Sequence, residues 1–254
     1  MGRIIAVVNQ KGGVGKTTTT VNITAALVEA GKKVLLCDFD PQANASSGLG
    51  VDKRSLRKSV YDVVIGEATA AQAIVSTPYA DVLPATADLA GATVELISME
   101  RPNFCLKEAL APIQDNYDYI FIDCPPSLEV LTLNALAAAD SILIPVQCEY
   151  YALEGLADLM RTMRLVKKRI NPDLEIFGVV LTMFDGRTNF STQVAQEVRR
   201  HFPGKVYATV IPRNIRLAEA PSHGLPVTAY DRSSRGAKAY CAMAEEILKN
   251  EKTR

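Results

Sequence analysis

The feature that most constrains this chain is a glycine-rich loop between its first apolar run and its first helical pattern. The apolar run covers residues 3–8, the helical pattern covers 17–30, and Lys11-Gly12-Gly13-Val14-Gly15-Lys16-Thr17-Thr18 lies between them. In such a strand–loop–helix context, successive backbone N–H groups point inward and form a nest for anions, which the positive end of the helix reinforces. The sequence therefore predicts a phosphate-binding loop.

Short runs rich in Val, Ile and Leu alternate with longer helical patterns along the rest of the chain. None of the runs alternates strictly between apolar and polar residues, which indicates strands buried on both faces by helices. Strands are predicted at residues 3–8, 33–37, 81–84, 119–122, 141–146, 177–183 and 206–211, and helices at 17–30, 106–115, 131–138, 153–170, 192–201 and 237–249. The pattern predicts a three-layer α/β fold of the P-loop NTPase kind, with a mostly parallel twisted sheet.

Composition and the absence of a linker predict a single domain over residues 1–254. The chain is 48% hydrophobic and 22% charged, which is typical of a folded globular protein. Its five cysteines include no C-x-x-C pair and it has two histidines, so we expect neither a disulfide framework nor a zinc site. The sequence contains no apolar run of about 18 residues, which a membrane span requires, and its N-terminal apolar run is too short for a signal peptide. We therefore expect a cytoplasmic protein.

The charges of the chain sum to zero but are unevenly distributed. Residues 1–160 carry 11 basic and 19 acidic side chains, a net charge of −8, whereas residues 161–254 carry 17 and 9, a net charge of +8. The zero total excludes a protein that coats nucleic acid permanently. The positive part is either a set of solvated helix faces or a surface for a polyanion, and composition alone leaves both interpretations open.

Several residue types predict nucleotide chemistry at the carboxyl ends of the strands. Lys16 is expected to reach the β and γ phosphates, and the Thr17 hydroxyl to ligate Mg²⁺. Asp38 and Asp123 each end a predicted strand, where a carboxylate faces the ligand side of an open α/β sheet, so both are candidate metal-site residues. The other candidate residues of the phosphate loop are Gly12, Gly13, Val14, Gly15 and Thr18.

The loop departs from the general P-loop pattern, because it has Gln10 where that pattern has glycine and contains a second lysine, Lys11. It resembles the variant phosphate loop of the ParA/MinD family of ATPases, and most closely that of Soj-type ParA chromosome-partitioning ATPases. The resemblance extends over nearly the whole chain, through the motifs DFDPQAN at 38–44, FIDCPPS at 121–127, QCEYYALEG at 147–155 and IPRN at 211–214.

The resemblance implies an ATPase with ATP and Mg²⁺ as cofactors and a slow intrinsic rate. It implies a nucleotide-sandwich homodimer in which Lys11 crosses the interface to the phosphates held by the partner subunit. Lys11, Lys16 and Asp40 are then the catalytic candidates, with Asp40 orienting the attacking water. Met183, Pro212 and Asn214 are expected to flank the adenine.

The resemblance also implies that the ATP dimer binds double-stranded DNA without sequence preference, through the basic part at about 161–254. By position this role falls first on Arg187 and Arg216, with Arg199, Arg200 and Lys205 as weaker candidates. A ParB/Spo0J-type centromere-binding protein is the expected partner, stimulating hydrolysis and release. The expected localisation is cytoplasmic and nucleoid-associated, without stable membrane association.

Two other classes of protein share parts of this pattern. A MinD-like membrane-cycling ATPase needs an amphipathic membrane-binding tail, and the segment 245–254 is too polar to predict one. A reductase related to nitrogenase iron protein needs cysteine ligands for an iron–sulfur cluster. No cysteine pair stands where that family places its ligands, and Cys124 is expected to be buried.

Overall fold

A computed structural model of the chain describes residues 2–149 and 152–252, so Tyr150 and Tyr151 of the 147–155 motif and the last two residues of the 245–254 segment lie outside the described residues. Seven strands form one sheet in the order β3-β4-β2-β5-β1-β6-β7. The strands are β1 (Arg3–Val7), β2 (Val34–Asp38), β3 (Val75–Ser76), β4 (Asp81–Leu83), β5 (Tyr119–Asp123), β6 (Ser141–Gln147) and β7 (Glu175–Thr182). All neighbouring strands are parallel except β3 and β4.

Helices cover both faces of the sheet. They are α1 (Lys16–Glu29), α2 (Asn44–Gly48), α3 (Val60–Val64), α4 (Ala70–Ala73), α5 (Leu89–Ile97), α6 (Cys105–Leu110), α7 (Val130–Ala138), α8 (Ala152–Arg169), α9 (Asn189–His201), α10 (Arg216–Glu219), α11 (Val227–Tyr230) and α12 (Arg235–Lys252), with 3₁₀ turns at Ala111–Asn116 and Ala220–His223. None of the described helices combines the length and apolar character that spanning a membrane requires.

The buried strands divide their side chains between two apolar layers. Ile4 and Ala6 of β1 pack with residues of α3 and α5–α9, whereas Ile5 and Val7 pack with residues of α1, α11 and α12. Successive side chains of a strand point to opposite faces of a sheet, so the four consecutive buried apolar residues of β1, residues 4–7, require a helical layer on each side. The predicted three-layer α/β architecture is therefore confirmed.

One predicted strand is wrong. Residues 206–211 form no strand: one isolated bridge joins Val179 of β7 to Val206, and a second joins Phe184 to Pro212 just beyond both segments. Between these points the Ala208 and Thr209 N–H groups donate to the Glu246 carboxylate of α12, so no continuous ladder forms. The prediction also missed β3, an edge strand of two residues, and the helices α2–α5, α10 and α11.

The strand register places the predicted acidic residues together. β1 and β2 lie on either side of β5, and Asp38 at the end of β2 stands opposite Asp123 at the end of β5. Val7, at the end of β1, stands opposite Asp123 on the other side. The phosphate loop that follows β1 therefore begins beside both carboxylates.

Candidate nucleotide-binding site

The loop between β1 and α1 has the backbone shape of an anion nest. Gly13 and Gly15 have φ angles of +75° and +89°, a left-handed region that residues with a Cβ adopt only at a cost. Two side-chain bonds fix the loop to neighbouring strands: Asn9 Nδ2 donates to the Pro145 carbonyl at 2.8 Å, and Thr182 Oγ1 donates to the Val14 carbonyl at 2.8 Å. The nest is thus held by β6 and β7 before any ligand binds.

Lys16 is a buried cation at the start of α1. Its exposed fraction is 7%, and Nζ donates to the Lys11 carbonyl at 3.3 Å. Burial lowers the pKa of Lys16, and the Coulombic attraction of Asp123 opposes that shift. The first turn of α1 contains no acidic side chain that would offset these positive charges. The Lys16 ammonium and the positive end of the helix therefore both favour a bound anion.

Asp123 is held by two hydroxyls from one face of α1. Thr17 Oγ1 and Thr20 Oγ1 donate to its two carboxylate oxygens, each at 2.8 Å. Asp123 is fully buried; burial and the nearby Asp38 raise its pKa, against the effect of the two hydroxyls. The Thr17 hydroxyl and this carboxylate are hard oxygen donors, which fit Mg²⁺ with phosphate and water as its other ligands. Among the described residues, no three His, Cys, Asp or Glu cluster as a metal cage would need.

Thr20 provides a test of this network in the nucleotide-free protein. Thr20→Val removes one of the two hydroxyl donors of a buried carboxylate, so we expect the free energy of unfolding to fall by about 1–3 kcal/mol. The matched control is Thr24→Val on the same helix, since Thr24 Oγ1 is buried and has no hydrogen-bond partner among the described residues. Urea unfolding of both variants checks the prediction. Equal losses for Thr20→Val and Thr24→Val would contradict it.

Asp38, the last residue of β2, is fully buried. Its Oδ2 accepts bonds from the backbone N–H and the hydroxyl of Ser46, both at 2.7 Å, and its Oδ1 accepts from the Asp40 N–H at 3.4 Å. Burial raises the pKa of Asp38, and the Ser46 bonds oppose that shift. Because its oxygens are engaged within the protein, the geometry supports a positioning role for Asp38 more than direct contact with a metal.

Asp40 lies in the turn that leads from β2 to α2. It is 8% exposed, and Oδ1 accepts a 2.9 Å bond from the Gln42 N–H. Ala43, the N-cap residue immediately before α2, has a φ angle of +52°, although it carries a Cβ. Such strain of about 1–3 kcal/mol is typical of functional loops and persists only where the surroundings enforce it.

A cavity of about 320 Å³ lies against the phosphate loop. Its wall contains all three residues predicted to flank the base, namely Met183, Pro212 and Asn214, together with Gly15 and Thr18 of the loop. The volume is in the range of small-molecule sites. Met183 itself has a φ angle of +49°, which turns the chain sharply after β7.

Lys11 lies on the open side of the same loop. Its Nζ contacts Oε1 of Glu149, which follows β6, and its backbone N–H donates to Asn9 Oδ1 at 3.0 Å. The two side chains remain 30% and 35% exposed. The Lys11 ammonium therefore has a carboxylate partner in Glu149.

The five basic residues predicted to bind DNA do not form one cluster. Arg187 follows β7 and is paired with Asp185, whereas Lys205 Nζ donates to the Ile176 carbonyl near the beginning of β7 at 3.1 Å. The two ends of an eight-residue strand are roughly 23 Å apart. Arg199 and Arg200 lie in the last turn of α9, and Arg216 begins α10, where it pairs with two acidic residues.

Sequence reasoning missed several residues that support the site. Thr20, Ser46, Thr182 and Glu149 all bond to predicted site residues or to the loop. Only Thr20 left a signal in the sequence, because Thr17 and Thr20 are three residues apart and so share one face of the helix. The others come from distant segments that only the folded sheet brings near the loop.

Known proteins with similar sequences cover almost the full chain. A family model described as an AAA domain matches residues 2–176. The sporulation initiation inhibitor protein Soj of Bacillus subtilis is 56% identical over 252 residues, covering 98% of this chain and 100% of its own length. The chromosome partitioning protein ParA of Caulobacter vibrioides is 52% identical over 256 residues, covering 99% and 96%.

Two solved structures share the fold. One, described as cobyrinic acid a,c-diamide synthase from Mycobacterium smegmatis with bound ATP analog and magnesium, is 40% identical, with a TM-score of 0.87 and coverage of 99% of this chain and 96% of its own. The septum site-determining protein MinD from Pyrococcus horikoshii, complexed with Mg-ADP, is 31% identical, with a TM-score of 0.82 and coverage of 99% and 98%. The P-loop NTPase fold predicted from the sequence is thereby confirmed.

Proposed function

The chain belongs to the ParA/Soj family of chromosome-partitioning ATPases, and from that premise we propose that it is an ATP-driven DNA-partitioning switch. In this proposal the ATP-bound homodimer binds double-stranded DNA without sequence preference, and hydrolysis releases it. The observation that carries the proposal is that the nest, the Lys16 ammonium, the Thr17–Asp123 pair and the 320 Å³ cavity meet at one edge of the sheet. Together they match the phosphates, metal and base of one nucleotide.

The bound nucleotide is proposed to lie with its phosphates in the loop and its base in the cavity. Lys16 and the backbone N–H groups of residues 12–18 would neutralise the phosphates, and the Thr17 hydroxyl and Asp123 would hold Mg²⁺, which would supply further neutralisation of the phosphate charge. Met183, Pro212 and Asn214 form the wall beside the base. Asp38 positions the turn that carries Asp40 through its bond from the Asp40 N–H.

The proposed intrinsic rate of ATP hydrolysis is slow, because one subunit alone supplies few of the groups that catalysis requires. Asp40 is the proposed orienting residue for the attacking water, and its Oδ1 already accepts the Gln42 N–H. Phosphoryl transfer depends on positioning and on neutralising charge, so a second cation supplied in trans accelerates it. Lys11 is proposed as that cation, exchanging Glu149 for the partner subunit's phosphates when the dimer forms.

The proposed partner is a ParB/Spo0J-type centromere-binding protein, and the proposed location is the nucleoid in the cytoplasm. The uneven charge distribution supports DNA binding. The net charge of +8 on residues 161–254 can provide contacts to DNA phosphates, and the number of these contacts doubles in a dimer.

The test is to measure size and DNA retention together. Light scattering with ATP and with ADP reports the mass, and retention on nonspecific duplex DNA at 50 and 200 mM salt reports binding. We expect a dimer only with ATP, and DNA binding only by the dimer, falling steeply with salt. Retention on anionic lipid vesicles with no retention on DNA would instead assign the chain to the MinD-like class and overturn the proposal.

A further inference from the structure

A cavity of about 380 Å³ lies at the opposite end of β7 from the nucleotide site. It is bounded by one side of α8, by Ile176 near the beginning of β7 and by the segment in which α9 ends, residues 201–205. Thr182, which lines the proposed base pocket, is the last residue of the same strand and lies roughly 20 Å from Ile176. The cavity is therefore separate from the nucleotide site, and we call it the α8–α9 cavity.

The floor of the α8–α9 cavity is apolar. Leu156 and Phe202 are 3% and 5% exposed and belong to the apolar layer beneath the cavity, and Met160 and Ile176 are partly buried against the same layer. Leu156 and Met160 are four residues apart, so they lie on one face of α8. An alkyl chain seated on this floor would remove apolar surface from water on the ligand and on the protein, which is favourable.

The rim of the α8–α9 cavity is basic. Its charged or titratable side chains are Arg164, His201 and Lys205, and no Asp or Glu is among the described residues that line it. Two of these side chains bond to backbone carbonyls: Arg164 Nε donates to that of Met160 at 3.3 Å, and Lys205 Nζ to that of Ile176 at 3.1 Å. A guanidinium has five N–H bonds and an ammonium has three. Both groups therefore keep donors for an anionic ligand.

The charges of Arg164 and Lys205 are not compensated by an acidic side chain. Within residues 2–149 and 152–252, no ion pair joins either of them to a carboxylate, whereas the neighbouring Arg161 and Arg200 each pair with an acid of their own helix. The end of α9 carries a partial negative charge, but three basic residues in its last turn offset it. An anion at the rim is therefore attracted by two cations without an acidic competitor in the described wall.

We propose that the α8–α9 cavity binds a medium-chain fatty acid, with the alkyl chain on the apolar floor and the carboxylate between Arg164 and Lys205. The volume is in the range of small-molecule sites. Such a ligand has one apolar and one anionic part, as the wall requires, and a carboxylate can accept two N–H bonds from one guanidinium. Inorganic phosphate would leave the floor in water, and a cationic amphiphile would place its charge against the rim. The inference does not rest on the proposed function.

The test is a calorimetric titration of the full chain with hexanoate, octanoate and decanoate. We expect saturable binding that tightens about fourfold for each added methylene, because each buries a further apolar group. Decyltrimethylammonium, whose alkyl chain has the same length and whose charge is opposite, should bind about tenfold more weakly or less. Saturating ADP should leave the affinity for decanoate unchanged. Displacement of decanoate by ADP would place the alkyl chain in the base pocket and would overturn the inference.

Two variants locate the bound fatty acid. Arg164→Gln/Lys205→Gln removes both charges and should weaken decanoate binding about tenfold or more, since each lost bond to a charged group is costly. Ala157→Phe places a large side chain at the mouth of the cavity from an exposed position of α8, so it should abolish binding. Thermal unfolding without ligand shows whether each variant is folded.

The matched control is Arg57→Gln/Lys107→Gln, which removes one arginine and one lysine, both exposed and both outside the cavity. It should bind decanoate with the affinity of the parent. The inference would be overturned if the parent showed no saturable binding of decanoate, if either folded cavity variant bound it as the parent does, or if the control lost affinity as much as Arg164→Gln/Lys205→Gln.

Discussion

Lys11→Ala is expected to abolish ATP-dependent dimerisation and, with it, DNA retention, while ATP binding by the monomer persists. The phosphate nest, Lys16 and the base pocket do not depend on the Lys11 side chain, so the nucleotide still binds. Without the second ammonium, however, only Lys16 and the nest offset the charge of each set of phosphates, and the two sets repel one another as the subunits approach. We expect the dimer fraction at saturating ATP to fall at least tenfold, as measured by light scattering, with a parallel fall in DNA binding.

The pairing of Lys11 with Glu149 supplies the matched variant. Glu149→Gln removes the carboxylate that holds Lys11 within its own subunit but leaves the ammonium in place, so dimerisation should need the same or less ATP than in the parent. If Lys11→Ala dimerised and bound DNA as the parent does, the mechanism in trans would be wrong. The mechanism in trans would also be wrong if Glu149→Gln abolished dimerisation as completely as Lys11→Ala does.

Asp40→Ala is expected to preserve ATP binding, dimerisation and DNA binding but to slow hydrolysis at least tenfold. Asp40 bonds to the turn that follows it, and within the described part of the chain its only interaction with the phosphate loop is a minor Coulombic one with Lys16, so its loss should spare the nucleotide pocket. A dimer that cannot hydrolyse ATP stays on DNA, so the variant should show a longer residence time. Single-turnover hydrolysis and dissociation from immobilised DNA measure the two effects.

The control for Asp40→Ala is Asp52→Ala, which removes an exposed acid paired with Arg54 at 3.5 Å in the segment after α2. It should hydrolyse ATP at the parent rate, since an exposed pair of this kind contributes little to stability. Loss of ATP binding in Asp40→Ala would make Asp40 a structural residue of the β2–α2 turn. An unchanged hydrolysis rate would remove it from the catalytic residues.

The sequence predicted the parts of the site that follow single strands. A glycine-rich loop after β1 and acidic residues at the ends of β2 and β5 are local patterns, and parallel strands bring such ends to one edge. Asp38 and Asp123 accordingly stand opposite one another in the register. The hydrogen bonds that hold Asp38 could not be predicted, because the Ser46 hydroxyl that donates to it lies in α2, a helix that the sequence pattern did not indicate.

The parts of the structure that escaped prediction depend on contacts between distant segments. Residues 206–211 have the composition of a strand, but only one isolated bridge joins them to β7. The basic residues were counted correctly but not grouped, because charge along a chain does not show which cations share a concavity. Arg213, Arg235 and Lys238 come from two separate segments, and folding alone places them together beside Arg187.

The central claim is that nucleotide controls DNA binding by controlling dimerisation. The most direct measurement is a titration of ATP at fixed protein concentration, with mass followed by light scattering and DNA binding followed by fluorescence anisotropy in the same samples. The account predicts that the two curves superimpose and shift together when the protein concentration is changed. Full-strength DNA binding by the ATP-bound monomer, or by the protein with ADP, would contradict it.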